Sequence, residues 1–287
     1  MVNNQSGFCV FAKDIVSLHF ETMTITYCQM EKTNVIQQHL KELEHEHEVK
    51  VLLAVESGSR AWGIESENSD WDVRLVYMHR PQWYLSVERK RDVIECMYED
   101  KIDLVGWDLK KALGLLRSSN PSLLEWLHSP IVYMKDSDFM KAMEGVADRF
   151  FNPSKMMYHY HRIYFTHNTR YLQRENCRLK VFFYYLRGIL GCRWIEQHQT
   201  LPPIPFKDLV EGTVPEAEMR AKIDELVILK KSGSEKDTSV IDTELLKYTQ
   251  HWAEYYTSLV KENRTEEIPP STETLDAILY QMVMNFK

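Results

Sequence analysis

Two aspartates that follow a glycine-serine turn are the residues whose types and spacing predict chemistry. The turn, Gly58-Ser59, follows an apolar run at residues 49–56, and Asp70 and Asp72 open the next β-type run. Because successive strand residues face opposite ways, Asp70 and Asp72 project from the same face. Adjacent carboxylates need a cation between them, and Mg²⁺ binds such oxygens together with substrate phosphates. A Gly-Ser turn offers backbone N–H groups and a hydroxyl to a phosphate chain.

Asp103 is the candidate for a third carboxylate. Two-metal sites use bridging carboxylates to hold ions roughly 3.5–4 Å apart, and Asp70 and Asp72 are the natural bridging pair. Asp103 lies within the apolar run at residues 102–105, where an inward-facing charge needs a metal or an ion-pair partner. An ordinary turn aspartate is the alternative interpretation. The three carboxylates together predict a metal-dependent nucleotidyl-transfer site.

Alternating strand and helix patterns must position these residues. β-type runs predict strands at residues 49–56, 70–78, 93–98 and 101–107. An amphipathic pattern predicts a helix at residues 31–48. Asp108 is predicted to cap a helix at residues 109–117, and Asn120 is predicted to open a helix at residues 123–128.

The second half of the chain is predicted to be helical. Helical periodicity replaces the β-type patterns after about residue 140, with helices expected at residues 153–197, 213–231, 241–263 and 271–284. The predicted fold class is therefore α+β, a mixed sheet with helices followed by an all-helical domain. The predicted division is an N-terminal extension at residues 1–30, a catalytic domain at residues 31–145 and a helical domain at residues 146–287.

Composition excludes several classes of protein. The 287 residues are 44% hydrophobic and 27% charged, which is ordinary for a globular chain with ample core. The five cysteines have no C-x-x-C spacing, so we expect neither a disulfide framework nor a zinc site. This cysteine pattern is typical of a protein in the reducing cytoplasm. No apolar run approaches the ~20 residues of a membrane span, and no signal peptide pattern is present. We therefore expect a cytoplasmic protein with no membrane partner.

A basic segment lies within this otherwise acidic chain. The formal net charge is −7, yet residues 151–193 contain one acid, Glu175, and eight basic residues. These eight are Lys155, Arg162, Arg170, Arg174, Arg178, Lys180, Arg187 and Arg193. Aromatic residues separate the charges. Such a segment is typical of a surface that contacts phosphate or nucleic acid, although a solvated basic helix face has the same composition.

One helix face within the basic segment is a candidate nucleotide contact. Lys180, Tyr184 and Arg187 are spaced i, i+4, i+7 and so share a face, from which two cations and a phenol would hold a triphosphate and base. An ordinary amphipathic helix with a core tyrosine is the alternative. Arg60 and Lys110 are further candidates for phosphate contact. Glu125 is a candidate ion-pair partner for Arg162 or Arg187, in which it would position the cation.

The motifs at residues 58–63 (Gly-Ser-Arg-Ala-Trp-Gly) and 69–72 (Ser-Asp-Trp-Asp) resemble the signature of the DNA polymerase β-type nucleotidyltransferase superfamily. Within it, the chain resembles the RNA-ligase-associated predicted nucleotidyltransferases, the RlaP-like family of the RNA repair pathway. Supporting motifs are found at residues 106–111, 120–127, 129–133, 184–187 and 192–195. The resemblance covers roughly residues 50–205.

The resemblance implies a polymerase β-like palm in which Gly58 and Ser59 contact nucleotide phosphates. It implies that Asp70 and Asp72 bind the metals and that Asp103 is the third acid. The expected enzyme uses Mg²⁺ or Mn²⁺ to transfer NMP from an NTP to a hydroxyl, with release of pyrophosphate. The expected acceptor is RNA, either tRNA or a repaired RNA end.

Three other functions stay open from the residues. One is a protein-modifying, AMPylation-type nucleotidyltransferase, and another is a non-catalytic nucleotide or RNA sensor. The third is a hydrolase that uses the same acids with water, which the Gly-Ser turn disfavours.

Overall fold

The computed structural model describes residues 30–171, 177–233, 238–262 and 270–286. In them, five strands form one sheet in the order β3-β4-β2-β1-β5. The strands are β1 (Val49–Glu56), β2 (Trp71–His79), β3 (Val93–Tyr98), β4 (Ile102–Asp108) and β5 (Val132–Lys135). Only β2 and β4 pair in parallel, and the other neighbours are antiparallel. The sheet is therefore mixed, as the sequence predicted.

The pairing of β2 with β4 sets the position of the aspartates. Asp72 lies beside Asp103 in the register, and Tyr77 lies beside Asp108. Side chains in one row of a sheet share a face, so both carboxylates project together. Strand β5 was not predicted, because Tyr133 is its one buried residue and the others give no alternating apolar pattern.

Short helices connect the strands, and their caps follow the sequence signals. Asp108 accepts a hydrogen bond from the amide of Lys110 at 2.9 Å, and Asn120 accepts one from Leu123 at 3.1 Å, so both predicted caps are confirmed. The helices are α2 (Gly58–Ala61), α3 (Pro81–Tyr84), α4 (Leu109–Arg117), α5 (Pro121–Leu127), α6 (Ser137–Met143) and α7 (Val146–Arg149).

Long helices make up most of the remaining described residues. They are α8 (Pro153–Tyr171), α9 (Leu179–His198), α10 (Phe206–Thr213), α11 (Ala217–Ser232), α12 (Thr243–Glu262) and α13 (Glu273–Met284). The helical periodicity at residues 153–197 corresponds to two helices, α8 and α9, and a short strand β6 (Cys177–Arg178) precedes α9 and pairs with β7 (Thr238–Ser239). Helix α10 was not predicted. No helix in the described part of the chain is both long and apolar enough to cross a membrane.

Helix α9 packs closely against α8. A β-carbon on Gly188 would stand 2.8 Å from the backbone nitrogen of Tyr164 and 2.9 Å from the carbonyl oxygen of Tyr160. Glycine at this position therefore lets the two helices approach, and α9 is buried along most of its length. The same core includes residues of β1, β2 and the later helices.

The chain divides into two compact units, residues 1–48 and residues 49–287. In the first unit the structure describes one helix, α1, at residues 30–47, close to the predicted helix at residues 31–48. Residues 1–29, most of the predicted extension, lie outside the described residues. The boundary predicted between residues 145 and 146 stays a prediction.

Candidate active site

The turn after β1 brings the backbone against Asp72. Gly58 has a φ of +61°, in the left-handed region that favours glycine, and a β-carbon placed on it would overlap Oδ2 of Asp72. The amide of Ser57 also donates to the carbonyl oxygen of Asp72 at 2.9 Å. The turn therefore packs directly against Asp72 of the DxD segment (Asp70 to Asp72), and this approach requires glycine at position 58.

Arg74 joins the two strand aspartates. Its Nη2 donates to Oδ1 of Asp72 and to Oδ2 of Asp103, at 2.9 Å in each case. The two carboxylate side chains are about equally exposed, at 31% for Asp72 and 30% for Asp103. The sequence indicated that Arg74 shares a face with Asp72, because it follows at i+2, but did not assign it a role.

Burial and charge act against each other at Asp72. Burial is the largest influence and raises the pKa of Asp72, the guanidinium of Arg74 lowers it, and Asp103 and Asp70 raise it. The ammonium of Lys180 also lowers the pKa of Asp72, which places this α9 cation within electrostatic range of the carboxylate.

Asp70 and Arg60 lie where the chain enters β2. Asp70 is exposed and precedes β2 by one residue. Arg60 donates to the carbonyl oxygens of Ser69 at 2.7 Å and Asp70 at 3.1 Å, and its guanidinium lies 3.8 Å from the ring centroid of Trp71. In this arrangement Arg60 holds the backbone that leads into β2.

A cavity of about 220 Å³ opens beside the aspartates. Its walls come from the turn, from β2 and from three helices. The lining residues are Ser57, Gly58, Trp62, Asp72, Arg74, Glu125, Ile163, Tyr184 and Arg187. Four residues of the predicted site thus meet here: Gly58, Asp72, Tyr184 and Arg187. The sequence had not assigned Ser57, Trp62, Arg74 or Ile163 to the site.

Two of the α9 residues in the cavity wall are held by their neighbours. Arg187 is 1% exposed, donates to the carbonyl oxygen of Ile204 at 3.0 Å and lies 3.5 Å from the Glu125 carboxylate, a partner that the sequence predicted. The rings of Trp62 and Tyr184 pack edge-to-face, with 4.8 Å between centroids. Arg193, another cation of the basic segment, is also buried, so these two arginines belong neither to an exposed phosphate-contact surface nor to the alternative, a solvated helix face.

Glu56, at the end of β1, fixes the backbone of Asp72. Its Oε1 accepts from the amide of Asp72 at 2.8 Å and its Oε2 accepts from the hydroxyl of Tyr133 at 2.5 Å. Burial raises the pKa of Glu56 to about 7, against the effect of these hydrogen bonds. The signal in the sequence was an acid at the end of a mostly apolar strand run.

Lys110 does not join this site. It follows Asp108, which lies five residues beyond Asp103 along β4 and therefore about 17 Å away at the rise of a strand. Ser59 lies in α2, where its carbonyl oxygen accepts from the amide of Ile64 at 3.0 Å. Neither Lys110 nor Ser59 is among the residues that line the cavity, although Ser59 directly follows Gly58, which lines it.

The acids present fit a cation that takes part of its shell from substrate. Among the described residues no set of three or more His, Cys, Asp or Glu side chains is arranged to hold a metal ion. Asp72 and Asp103 are nevertheless two carboxylates that share one cationic partner, Arg74, and Mg²⁺ commonly uses one or two carboxylates with phosphates and water. A carboxylate pair of this kind suits Mg²⁺ or Mn²⁺ bound together with a nucleotide.

Comparison with known proteins identifies the family. The model of a family described as the RNA repair pathway DNA polymerase beta family matches residues 32–281. The chain belongs to this family. The resemblance drawn from the sequence, which rested on the Gly58 turn and on Asp70 and Asp72, is confirmed.

Two further comparisons give individual proteins. The uncharacterized protein YcgL of Bacillus subtilis (strain 168) is 43% identical over 198 residues, which cover 69% of this chain and 76% of YcgL. A solved nucleotidyltransferase-like protein from Exiguobacterium sibiricum 255-15 aligns with 87% of this chain and 88% of its own, at 13% identity and a TM-score of 0.31. The second similarity is too low to carry an argument about fold or activity.

Proposed function

We propose that the protein is a metal-dependent nucleotidyltransferase, which moves NMP from an NTP to a hydroxyl acceptor and releases pyrophosphate. The observation that carries this proposal is the packing of the Gly58 turn against Asp72, beside Asp103 in the register of β2 and β4. The glycine turn and Asp72 line one cavity, and Arg74, which also lines it, links Asp72 to the Asp103 carboxylate. Membership in the polymerase β family supports the transferase reaction.

The residues take separate roles in this proposal. Asp72 and Asp103 would hold Mg²⁺ or Mn²⁺, with Asp70 beside them as a further acid. When bound, the metal supplies charge neutralisation on the triphosphate and activation of the attacking hydroxyl. The turn at Gly58 and Ser59 would approach the phosphates through its backbone, and Asp70 or Asp72 would position the attacking oxygen.

Helix α9 would complete the nucleotide site. Lys180 is within electrostatic range of Asp72, and Tyr184 and Arg187 line the cavity. A cation at this range favours bound phosphate, and the Tyr184 ring offers an aromatic edge or face to a base. Because Arg187 is buried and paired with Glu125, we assign it to shaping the cavity wall, with phosphate contact left to Lys180.

The surface of α8 favours RNA as the acceptor. Tyr158 and Phe165 are 49% and 48% exposed, and the ring of His161 lies between them, at 6.2 Å and 5.6 Å between centroids with near-parallel planes. Lys155 and Arg162 are exposed on the same helix. Aromatic rings interleaved with cations are the elements of single-strand binding surfaces, and they favour an RNA acceptor over a protein side chain.

Transfer of α-labelled NTPs tests the function directly. Each NTP is incubated with Mg²⁺, mixed RNA and total protein, with wild type beside Asp70→Asn and Asp72→Asn variants. We expect label in RNA with wild type only. Asp92→Asn is the matched control, because Asp92 is also paired with a cation, Lys111 at 3.0 Å, but does not line the cavity.

The outcomes separate the candidate functions. Label in protein would show that the acceptor is a protein and that the proposed RNA acceptor is wrong. Equal transfer by wild type and Asp72→Asn would overturn the assignment of the carboxylates. NTP binding without any transfer would replace the enzyme by a nucleotide sensor, and metal-dependent RNA cleavage without NTP would indicate a hydrolase.

A further inference from the structure

Arg74 holds the two carboxylates that the proposed function assigns to a metal ion. Its Nη2 donates to Oδ1 of Asp72 and Oδ2 of Asp103. Its Nη1 donates to the carbonyl oxygens of Asp103 at 2.8 Å and Val73 at 3.0 Å. The side chain is 17% exposed, and it lines the same cavity as Gly58. Arg74 is thus a built-in cation between the acids at the edge of the site.

A metal ion and this guanidinium would compete for the same atoms. Two carboxylates in one row of a sheet repel each other, and Arg74 relieves that repulsion by sharing one nitrogen between them. A divalent cation relieves it with twice the charge. Like charges at such short range repel strongly inside a partly buried site, so Oδ1 of Asp72 and Oδ2 of Asp103 cannot serve both cations well.

We propose that Arg74 is an internal competitor of the metal, which keeps Asp72 and Asp103 paired with its guanidinium until it releases them to the arriving ion. This inference rests on the proposed function. Release leaves a planar, five-donor guanidinium at the cavity edge, which suits bidentate contact with a phosphate. The metal therefore binds weakly to the protein alone and more tightly with a triphosphate, which gives Arg74 a new partner.

Mn²⁺ binding without nucleotide tests the competition. The EPR signal of free Mn²⁺ is followed during titration of wild type, Arg74→Met and Arg74→Lys. We expect Arg74→Met to bind Mn²⁺ about tenfold or more tightly than wild type, because the acids lose their competitor. Arg74→Lys keeps the charge, so its affinity should stay close to that of wild type. With a non-hydrolysable NTP present, the advantage of Arg74→Met should shrink, since the phosphate donor is lost.

Arg60→Met is the matched control for charge alone. It removes the same charge beside β2, but Arg60 donates to the carbonyl oxygens of Ser69 and Asp70 and to neither carboxylate of the pair. We expect Arg60→Met to change Mn²⁺ affinity much less than Arg74→Met does. An equal increase in Mn²⁺ affinity in Arg60→Met and Arg74→Met would overturn the competition, because loss of one positive charge would then explain both increases.

Thermal unfolding keeps the inference testable if Arg74→Met folds poorly. Without metal this variant should unfold at a lower temperature than wild type, and Mn²⁺ should raise its unfolding temperature by more. Arg74→Gln, which keeps hydrogen-bond donors without charge, is the second variant. Equal Mn²⁺ affinity in wild type, Arg74→Met and Arg74→Gln would overturn the competition between Arg74 and the metal, but it would leave the proposed function standing. If no form binds Mn²⁺, with or without NTP, the metal-dependent function fails as well.

Discussion

Arg187 on α9 and Glu125 on α5 form an ion pair across the candidate site, with Nη2 and Oε1 3.5 Å apart and side chains that are 1% and 19% exposed. The same guanidinium donates to the carbonyl oxygen of Ile204 and lies 4.5 Å from the ring centroid of Trp62. The pair therefore connects the predicted catalytic part of the chain with the predicted helical part, and it fixes one wall of the cavity.

Removing this arginine should destabilise the fold. Arg187→Met leaves the Glu125 carboxylate without its cationic partner, although Tyr160 still donates to it. We expect the free energy of unfolding to fall by up to about 3–5 kcal/mol, the cost of breaking a fully buried pair. Urea unfolding of Arg187→Met, Glu125→Gln and the double variant measures the coupling between the two side chains. The control is Lys207→Met, which breaks an exposed pair with Glu211 and should have no measurable effect. A loss no larger than that of the control would contradict the assigned role.

The close approach of Gly58 to Asp72 predicts a loss of activity that backbone strain cannot explain. Gly58 and Gly63 both have positive φ, +61° and +71°, but a β-carbon on Gly63 would meet no atom within 4 Å. Each alanine variant should lose about 1–2 kcal/mol of stability from strain. Only Gly58→Ala should also displace the Asp72 carboxylate and reduce NMP transfer by about 100-fold or more. Similar transfer rates in the two variants would count against the contact.

The sequence predicted elements whose signals are local. Helix α4 was predicted at residues 109–117 and found there, because Asp108 is a good cap and the apolar spacing is regular. The shared face of Lys180, Tyr184 and Arg187 follows from helical periodicity alone. The burial of Arg187 does not, because its carboxylate and carbonyl partners lie 62 and 17 residues away in the chain.

Some predictions that depend on distances between elements of the fold agree with the structure, and others do not. The placement of Asp103 beside Asp72 was anticipated, since a third acid on a neighbouring strand was expected, and the register bears out this neighbour relation. Lys110 was grouped with the site although β4 carries it to the opposite end of the sheet. The direction and length of a strand decide whether a residue lies near the site, and the residue type alone predicts neither.

The buried carboxyl of Asp108 should make stability depend on pH. Burial raises the pKa of Asp108 to about 6, against hydrogen bonds from Tyr84 and the amide of Lys110. The folded state thus binds this proton more tightly than the unfolded state, so the contribution of Asp108 to stability falls as the pH rises from about 4 to 6. Between pH 4 and 7, the unfolding free energy of wild type should fall by about 3 kcal/mol relative to Asp108→Asn.

Asp136 should make stability depend on pH in the opposite direction to Asp108. Burial alone would raise the pKa of Asp136, but hydrogen bonds from Lys50 and from the amides of Phe139 and Asp138 lower it overall. The contribution of Asp136 to stability is therefore present above the unfolded pKa and lost as the pH falls. As the pH rises, the unfolding free energy of wild type should increase relative to that of Asp136→Asn. Denaturant unfolding at several pH values measures both variants, and a common sign for the two would contradict these pKa shifts.

The aromatic surface of α8 should contribute to RNA affinity. Stacking of a base on an exposed ring contributes about 1–3 kcal/mol, so Tyr158→Ala and Phe165→Ala should each weaken binding of a fluorescent single-stranded RNA by about tenfold. Arg162→Gln should instead reduce the salt dependence of binding, because it removes a phosphate contact. The matched control is Tyr280→Ala, which removes a tyrosine that is 69% exposed on α13. If Tyr280→Ala weakens RNA binding as much as Tyr158→Ala, the α8 surface has no special role and the case for an RNA acceptor loses its structural support.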